Sequence, residues 1–497
     1  MVVESGQDDT KATQAIAAGK GPDLDLSYST DITGKFCTSG AFRDLSGYIK
    51  RDKVDMSQFP DTVKAYTEFD GKRCAMPMLS DTYGLYYNKA LLAKAGYTEP
   101  PKTMTELAEM AKKLTVRNPD GSIKVAGFDP TIGFYENAAG HFGPSYGAKW
   151  LTSDGQSAIG SDPSWQSWLN WEKDLANWFG VKNLTKFNAA AGQEFSASNN
   201  FETGKIAMMV DGEWRNAFIQ SDSPKLDYAT APMPTADDKT NLYGAGYVTG
   251  NIIGISKGAK NPGAAWELLN YLTTNTAAQV KLGNEIQNVP TTLNALKSPD
   301  LKASANFKTF LDIFSNPNSA TTPASPDSAG YQNTFQDFAI KYQAGQTTDL
   351  AGGLQGSTNR STTPETRVRP VSSVSDASLT PSVAPTAPAA SADRKRPKAS
   401  TKRPGTRTAR AHRTRFAWLI LTPALLGMLI FFVYPLIATV VFSFTRFDLV
   451  SRPQWIGLRN YDYFLHEDPQ IWTALRNTLW LVVVMVPARV IFGLVCA

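Results

Sequence analysis

The stretch FETGKIAMMVDGEWR, residues 201–215, holds the pattern on which the fold prediction rests. Ile206 to Val210 is a short apolar run, which is typical of a buried β-strand. Polar and aromatic residues, Asp211 to Trp214, follow the run directly. Similar runs alternate with amphipathic helical patterns along the first 353 residues, so the sequence predicts an α/β fold built from βα units.

Four further runs are expected to be strands of the same module, and two helices have recognisable starts. Thr103 and Glu106 form a capping box ahead of one helix, and Asn261-Pro262 caps another. These signals indicate where strand and helix alternate. The four additional strand candidates are residues 24–28, 83–87, 123–128 and 251–255.

Four tryptophans fall at helical spacing between Asp162 and Phe179. Tryptophan buries a large apolar area, and a helix face that packs against the core is its usual place. We therefore predict core packing for this stripe rather than a binding surface. The tryptophans are Trp165, Trp168, Trp171 and Trp178.

Length and composition indicate about three domains and very little cysteine chemistry. The chain has 497 residues and a net charge of +5, and the basic excess falls between Gly356 and Arg415. Three cysteines exclude a thiolate metal site and a dense disulfide framework. Cys37 and Cys74 are expected either to pair in an oxidising compartment or to remain two small unpaired residues.

The first 353 residues lack the common catalytic patterns. They contain one histidine, His141, and no Ser-His-Asp arrangement, His/Cys metal cluster or Gly-rich phosphate loop. The sequence therefore predicts no enzyme, no catalytic residue, no metal and no cofactor. The alternative is a membrane-tethered glycoside hydrolase that uses Asp211, Glu213 or Asp81 as its acid/base pair.

Aromatic residues stand beside short polar residues at the ends of several predicted strands. Asp81-Thr82-Tyr83, Glu213-Trp214-Arg215 and the segment from Tyr243 to Tyr247 each combine a ring with hydrogen-bonding groups. Sugars present C–H faces that pack on aromatic rings and hydroxyls that need paired donors and acceptors. The three segments together indicate a carbohydrate-binding site.

Five blocks of the first 353 residues carry a family resemblance in their order and spacing: residues 15–24, 69–77, 81–89, 201–214 and 246–266. They resemble the extracellular solute-binding proteins, family 1, that deliver sugars and oligosaccharides to ATP-driven ABC importers. The resemblance implies a two-lobed type II periplasmic-binding-protein fold. It also implies a ligand cleft between the lobes that closes by hinge rotation.

The resemblance implies which residues of this chain contact the ligand. Asp81 and Thr82 are expected on one cleft wall, and Trp214 is expected to stack on a sugar. Gly246 and Tyr247 are expected on the opposite wall. The full set of implied ligand-binding residues is Asp81, Thr82, Tyr83, Glu213, Trp214, Gly246, Tyr247 and Asp25, and residues 28–31 have the right position after a strand.

The start of the chain departs from the family pattern. Family members open with a signal peptide, a strand and a helix before the segment that resembles residues 14–21. Met1 to Ser5 lacks the basic start of a secretory signal, and no apolar core follows it. We expect an N-terminally truncated fold that lacks its first strand, which would leave a sheet edge unpaired.

Residues 354–415 are predicted to be a disordered linker. This segment is rich in Ser, Thr, Pro and Ala, with basic clusters at 394–396 and 403–415. Nucleic-acid binding is one interpretation of these clusters. A positive-inside anchor is favoured instead, because the clusters stand directly before the uncharged run from Phe416 to Phe444. The sequence therefore predicts membrane association and no nucleic-acid partner.

Residues 416–497 resemble the opening of a sugar-importer permease. The resemblance rests on the segments 443–448, 455–461 and 477–479, and it implies one full and one partial transmembrane helix. Arg489 in the second apolar run would cost about 2.5–3.5 kcal/mol at mid-bilayer, so we expect it to face protein or an interface. The implied partners are ABC permease subunits and a cytoplasmic ATPase.

These parts conflict over localisation. A basic linker that stays in the cytoplasm would keep residues 1–353 there, whereas the family resemblance places the binding domain outside the cell. Two truncated neighbours joined by a frameshift or a gene-prediction error would explain the conflict. A natural fusion of receptor and permease is the rival interpretation.

Overall fold

The computed structural model describes residues 3–6, 9–153, 156–361, 434–446 and 454–462, together with residues 476, 478 and 480. The chain separates into two compact units, a first unit from Met1 to Val374 and a second unit from Ser375 to Ala497. All helices and strands below belong to the described residues.

The first unit contains eleven strands in the part of the chain that the structure describes. Their lengths range from two residues to the thirteen residues of the fifth strand. The strands are β1 Val3–Gly6, β2 Leu24–Ser27, β3 Glu68–Phe69, β4 Lys72–Arg73, β5 Met76–Asn88, β6 Val116–Arg117, β7 Ile123–Phe128, β8 Ile206–Gly212, β9 Tyr228–Ala231, β10 Val248–Ile255 and β11 Val289–Pro290.

Helices connect these strands and cover the sheet. They are α1 Asp9–Ala17, α2 Ile32–Ser39, α3 Ser46–Arg51, α4 Asp61–Tyr66, α5 Lys89–Lys94, α6 Met104–Leu114, α7 Ala139–Tyr146, α8 Pro163–Phe179, α9 Val181–Ala189, α10 Arg215–Asp222, α11 Pro262–Thr274, α12 Thr276–Ile286, α13 Leu293–Leu296, α14 Ala305–Ser315, α15 Gly330–Gln343 and α16 Leu350–Ser361.

Strand β5 joins two lobes, because its two halves pair with different strands. Residues 76–82 pair in antiparallel fashion with β10, whereas residues 83–87 pair with β8. The sheet order is β1-β2-β10-β5-β8-β7-β6, and β11 and β9 also pair with β5. The first lobe therefore contains β1, β2, β10 and β11, and the second lobe contains β6 to β9.

The predicted strands are confirmed, and several are longer than expected. The predicted run 206–210 extends to Gly212 in β8, and the run 251–255 begins at Val248 in β10. The run 83–87 is the second half of β5, whose first half was not predicted. All residues of β8 and β10 are buried, so their continuous apolar runs have no exposed face.

Both predicted helix starts are confirmed, although one is capped differently. Thr103 and Glu106 form the predicted capping box at the start of α6. Helix α11 begins at Pro262 as predicted, but the side chain of Asn261 makes no capping hydrogen bond. Instead, the buried carboxylate of Asp23 accepts hydrogen bonds from the backbone N–H groups of Lys260 and Asn261 at 2.6 and 2.9 Å.

Strand β1 lies at the edge of the sheet. It pairs in parallel with β2, with Val3 opposite Leu24 and Gly6 opposite Ser27. Asp25 of β2 therefore has strand neighbours on both sides, since β10 pairs with the other edge of β2. The expectation that the chain lacks its family's first strand stays a prediction.

The predicted tryptophan core is confirmed for three of its four residues. Trp165 and Trp168 of α8 are fully buried, and Trp171 is partly buried against the core. The indole N–H of Trp165 donates to the carbonyl of Lys149 at 2.9 Å, so the buried donor is satisfied. Trp178, near the end of α8, is 42% exposed and stacks its ring under Arg117.

Cys37 and Cys74 form a disulfide, which settles the two open expectations in favour of pairing. Their α-carbons lie 5.5 Å apart, within the range that a disulfide bridges. The bond links α2 to the residue that directly follows β4 in the first lobe.

Helix α16 crosses the boundary predicted between residues 353 and 354. Leu354 packs into the core with 4% exposure, and Thr358 accepts a hydrogen bond from the N–H of Gly160 at 2.7 Å. The rest of the predicted linker, residues 362–415, lies outside the described residues. The boundaries predicted for the three domains therefore stay predictions.

In the second unit, the structure describes two helices and a small hairpin. Helix α17 is Tyr434–Phe442 and helix α18 is Arg459–Asp462, and the strands β12 Thr445–Arg446 and β13 Gln454–Trp455 pair in antiparallel fashion. The predicted span 416–444 lies outside the described residues except for 434–444. No helix within the described ranges is long and apolar enough to cross a membrane.

The tryptophan core gives a stability prediction. Replacing Trp165 with Ala removes a fully buried indole, so we expect the free energy of unfolding to fall by about 3–5 kcal/mol in a denaturant titration. Trp178→Ala is the matched control on the same helix. Because its ring is exposed, it should cost less than about 1 kcal/mol, and equal losses for both variants would contradict the assignment of this core.

Candidate functional site

A cavity of about 260 Å³ lies beside the junction of the two lobes. Its wall comes from five elements of the chain, together with Trp150. These are the loop after β2, the middle of β5, the start of α7 and of α15, and the start of β10. Residues from these segments that line it include Tyr28, Asp31, Tyr83, His141, Tyr247, Thr249 and Gln332.

Three rings form a continuous aromatic wall along the cavity. The ring centroids of Tyr83 and His141 are 3.7 Å apart, and the rings are stacked at 21°. Tyr247 is tilted against both, at 5.6 Å from Tyr83 and 5.3 Å from His141. Trp150 and Tyr28 are two further aromatic residues that line the cavity. These surfaces can pack against an apolar face of a ligand.

His141 is a neutral imidazole at neutral pH. Burial lowers the pKa of His141 to about 4, although a hydrogen bond to the backbone of Glu136 opposes that shift. Its Nδ1 lies 2.6 Å from the carbonyl oxygen of Glu136. Because a carbonyl only accepts, Nδ1 carries the proton, and Nε2 is left as a hydrogen-bond acceptor.

Asp31 is the carboxylate of the cavity wall. Its Oδ1 accepts hydrogen bonds from Gln332 Nε2 at 2.7 Å and from Thr322 Oγ1 at 3.3 Å, and its Oδ2 accepts from Ser29 at 3.5 Å. Burial raises the pKa of Asp31, while these three donors lower it. The pKa of Asp31 is raised on balance, so the donors offset only part of the cost of desolvating the ionised form.

The sequence-predicted site residues divide into two groups. Tyr83 and Tyr247 line the cavity. Trp214 meets the ring of Tyr83 edge-on at 5.5 Å but does not line the cavity. Gly246 donates its N–H to Ser319 Oγ at 3.0 Å, and a Cβ there would lie 2.7 Å from the side chain of Ile313. Gly246 thus serves close packing next to Tyr247.

Asp81, Thr82 and Glu213 form a buried network at the lobe junction. The N–H of Thr82 donates to Glu213 Oε2 at 2.9 Å, and Asn288 Nδ2 donates to Glu213 Oε1 at 2.9 Å. The same Nδ2 donates to Asp81 Oδ1, and Asn251 donates to Asp81 at 3.3 Å. Asn288 therefore bridges the two carboxyl groups.

The buried pair holds a proton at neutral pH. Burial raises the pKa of Asp81 to about 7. Burial also raises the pKa of Glu213 well above its usual range, and the nearby charge of Asp81 adds to that rise. A protonated Glu213 that donates to an ionised Asp81 satisfies both groups without a cation.

Asp211 and Asp25 lie apart from the aromatic wall. The carboxylate of Asp211 accepts a hydrogen bond from Arg215 Nε at 2.7 Å, and Arg215 also reaches Glu202 at 3.3 Å. Asp25 is buried in β2, in register with Gly254 of β10. Asp211 and Glu213 therefore have separate partners and do not form the acid/base pair that the hydrolase alternative requires. The role of these residues in ligand binding stays a prediction.

One group of the described residues brings three possible metal ligands together. Carboxylate oxygens of Glu136, Glu194 and Asp211 lie within 4.8 Å of one another. Burial raises the pKa of Glu136 and Glu194, which favours protonation over metal binding, and Arg215 already pairs with Asp211. The arrangement is that of an acid cluster stabilised by protons and one guanidinium.

Sequence reasoning missed most of the polar wall. His141 is the one histidine of the module, and its sequence neighbours indicate no role for it. Asp31 lies at the end of the segment 28–31, which was noted for its position after a strand. The cavity residues of α15, among them Gln332 and Gln336, had no sequence signal, because nothing local shows that this helix reaches the cleft.

Comparison with known proteins identifies relatives of the first unit. The profile of the family described as "Bacterial extracellular solute-binding protein" matches residues 2–279. The maltotriose-binding protein of Pyrococcus abyssi is 25% identical over 299 residues, which cover 58% of this chain and 58% of that protein. The chain spans about three fifths of the length of the curated relatives it matches first.

A solved structure supports the fold of the first unit. A separate relative is a permease rather than a binding protein. The structure of CpMnBP1 with mannobiose bound has a TM-score of 0.63 and 28% identity, covering 70% of this chain and 86% of that chain. This confirms the two-lobed α/β periplasmic-binding-protein fold. The probable ABC transporter permease protein YesP of Bacillus subtilis is 36% identical over 80 residues, 16% of this chain and 26% of that protein.

The relatives of the first unit are solute-binding proteins, not enzymes, and the prediction of a protein without enzymatic activity agrees with them. The carboxyl groups considered for hydrolysis fit that result, because each is hydrogen-bonded within a buried network.

The buried carboxyl pair gives a prediction for stability against pH. Glu213 keeps a proton in the folded state that the unfolded chain releases above pH of about 4, so this proton makes the unfolding free energy fall as pH rises. Glu213→Gln removes the titration. Between pH 5 and 8, we expect its unfolding free energy to fall less than that of the wild type, by on the order of 2 kcal/mol.

The pH experiment needs a control with the same change of charge. Glu285→Gln removes an exposed carboxylate that pairs with Lys281 on α12. This control should follow the wild-type pH dependence in parallel denaturant titrations. If Glu213→Gln did so as well, the shared proton would be excluded.

Proposed function

Because the chain belongs to the family of bacterial extracellular solute-binding proteins, we propose that its first unit binds a sugar or short oligosaccharide. The ligand would occupy the cavity beside β5 and be delivered to an ATP-driven ABC importer. The observation that carries the proposal is that the aromatic rings of Tyr83, His141 and Tyr247 line the same cavity as the polar side chains of Asp31 and Gln332.

This wall provides both interactions that a sugar needs. An aromatic face packs on the C–H face of a pyranose ring, and polar side chains pair with its hydroxyls. Asp31 and His141 Nε2 accept hydrogen bonds, whereas the amides of Gln332 and Gln336 donate and accept. A hydroxyl group, which does both, can be satisfied at several points of such a wall.

The relatives support this class of ligand. CpMnBP1 was solved with mannobiose, and the relative from Pyrococcus abyssi is a maltotriose-binding protein. Each of those ligands belongs to its own protein. For this chain, we propose the shared chemical class, a short sugar, and Tyr83 and Tyr247 as contacts. Ligand contact by Asp81, Thr82, Glu213, Trp214, Gly246 and Asp25 stays a prediction.

Closure of the two lobes around a ligand would give the occupied protein a different shape from the empty one. The lobes share β5, whose pairing changes partner between Thr82 and Tyr83. A rotation at that point would change the distance between Asp31 in the first lobe and Gln332 on α15. A permease that docks only the closed form would then receive the protein only when ligand is bound.

The second unit is proposed to derive from a permease of the same kind of importer. The match to 80 residues of a permease from Bacillus subtilis supports this proposal, together with the apolar runs of residues 416–497. The partners would be permease subunits and an ATPase, and the chain would be located at the cell membrane. By family, the first unit would act outside the cell.

Sugar binding can be tested with the full chain in a detergent that has no sugar headgroup. We expect saturable changes in tryptophan fluorescence with some neutral mono- or disaccharides, because Trp150 lines the cavity. Tyr83→Ala removes the centre of the aromatic wall and should weaken binding at least about tenfold, or ~1.4 kcal/mol.

Tyr271→Ala is the matched control for this experiment. Tyr271 is 53% exposed on α11 and is not part of the cavity wall, so its loss should leave affinity unchanged. Thermal unfolding of both variants separates lost binding from lost folding. A folded wild-type chain that ignores every sugar would overturn the proposed function.

A further inference from the structure

The charges around the cavity point to a narrower ligand class. Of the described residues that line the cavity, none is Lys or Arg, and the one acidic residue among them is Asp31. We infer that the cavity selects uncharged sugars against acidic ones, such as uronic acids, and that Asp31 is the residue that discriminates. This inference rests on the proposed function and goes beyond it.

The hydrogen bonds around Asp31 have a fixed direction. A carboxylate only accepts, so the Thr322 hydroxyl donates to Asp31. Thr322 must then accept from the Tyr247 hydroxyl, which lies 3.1 Å away. Gln332 also directs an N–H at Asp31. The donors nearest to the carboxylate are therefore already used by it.

The described residues of the cavity wall offer no positive charge that would offset the cost of desolvating an acidic ligand. Its carboxylate would be desolvated next to the Asp31 charge, while the nearby donors stay committed to Asp31. His141 cannot supply a positive charge at neutral pH, because burial lowers its pKa to about 4. Two charges of the same sign in a partly enclosed cavity repel more strongly than in water.

Acidic groups behind the wall strengthen this bias. Burial raises the pKa of Tyr83, and the nearby carboxyl groups of Asp81 and Glu213 add to that rise. The fully buried guanidinium of Arg215 is already paired with Asp211 and Glu202. The charge of Asp31 is therefore not offset by a cation among the described residues that line the cavity, which disfavours the approach of anions.

A neutral sugar meets no such penalty. Gln332, Asn333 and Gln336 are uncharged amides, and Ser29 and Thr249 carry hydroxyl groups. The volume of about 260 Å³ lies just below the roughly 300–1,000 Å³ of pockets that enclose drug-sized ligands. Such a space fits a ligand of one or two sugar rings.

The test uses matched pairs of sugars that differ in one carboxylate: glucose with glucuronate, galactose with galacturonate, and mannose with mannuronate. Titration calorimetry of the full chain at neutral pH should give each neutral sugar that binds an affinity at least about tenfold above that of its acid. An acid that binds as tightly as its neutral partner would overturn the inference.

A substitution tests the role of Asp31 itself. Asp31→Asn keeps the size of the side chain and removes its charge, so the preference for the neutral sugar of a pair should fall at least about threefold. Asp337→Asn is the control, because it makes the same change at an exposed position of α15 and should leave the preference unchanged. An unchanged preference in folded Asp31→Asn would remove Asp31 from the inference.

The outcomes separate this inference from the proposed function. If neutral sugars bind without discrimination, the proposed function stands and the selection by charge fails. If no sugar of either kind binds to a folded chain, the proposed function fails first. Thermal unfolding of each variant shows whether the chain is folded.

Discussion

Strand β5 is the constraint on which the first unit depends, because a single thirteen-residue strand belongs to both lobes. Its pairing passes from β10 to β8 between Thr82 and Tyr83. Tyr83 is the first residue of the second pairing and also lines the cavity. The change of pairing partner and a residue of the cavity wall therefore lie at the same peptide. A rotation of the lobes at that peptide would also move Tyr83 and change the shape of the cavity.

The carboxyl groups at this junction are stabilised mainly by amides and by a shared proton. Asn288 donates to Asp81 and to Glu213, so the end of β8 is held against β5 without a buried cation. Such a network is strong when every member has its partner and costly when one is lost. The hydrogen-bonding capacity of Asp81 and Glu213 is thus used within the protein.

The extent to which this structure follows from its sequence depends on distance along the chain. The capping box of Thr103 and the strand around Ile206 depend on residues a few positions apart, so a local pattern predicts them. Asp31 and Gln332 are 301 positions apart, and no local pattern joins them. The sequence correctly places Glu213 directly after a strand, whereas Asp81 lies inside β5 rather than at its start. The local pattern does not show that both carboxyl groups are buried in one network.

The hydrogen bonds between the polar side chains of the cavity wall have a fixed direction, and this direction affects how a ligand gains affinity. Tyr247 donates to Thr322, and Thr322 donates to Asp31, so these side chains are ordered before a ligand arrives. Less side-chain entropy is then lost on binding, which favours affinity. The same order restricts the choice of ligand, because a group that needs donors where the wall presents acceptors leaves buried polar atoms unpaired. Preorganisation and selectivity are thus two consequences of one hydrogen-bonded chain that ends at Asp31.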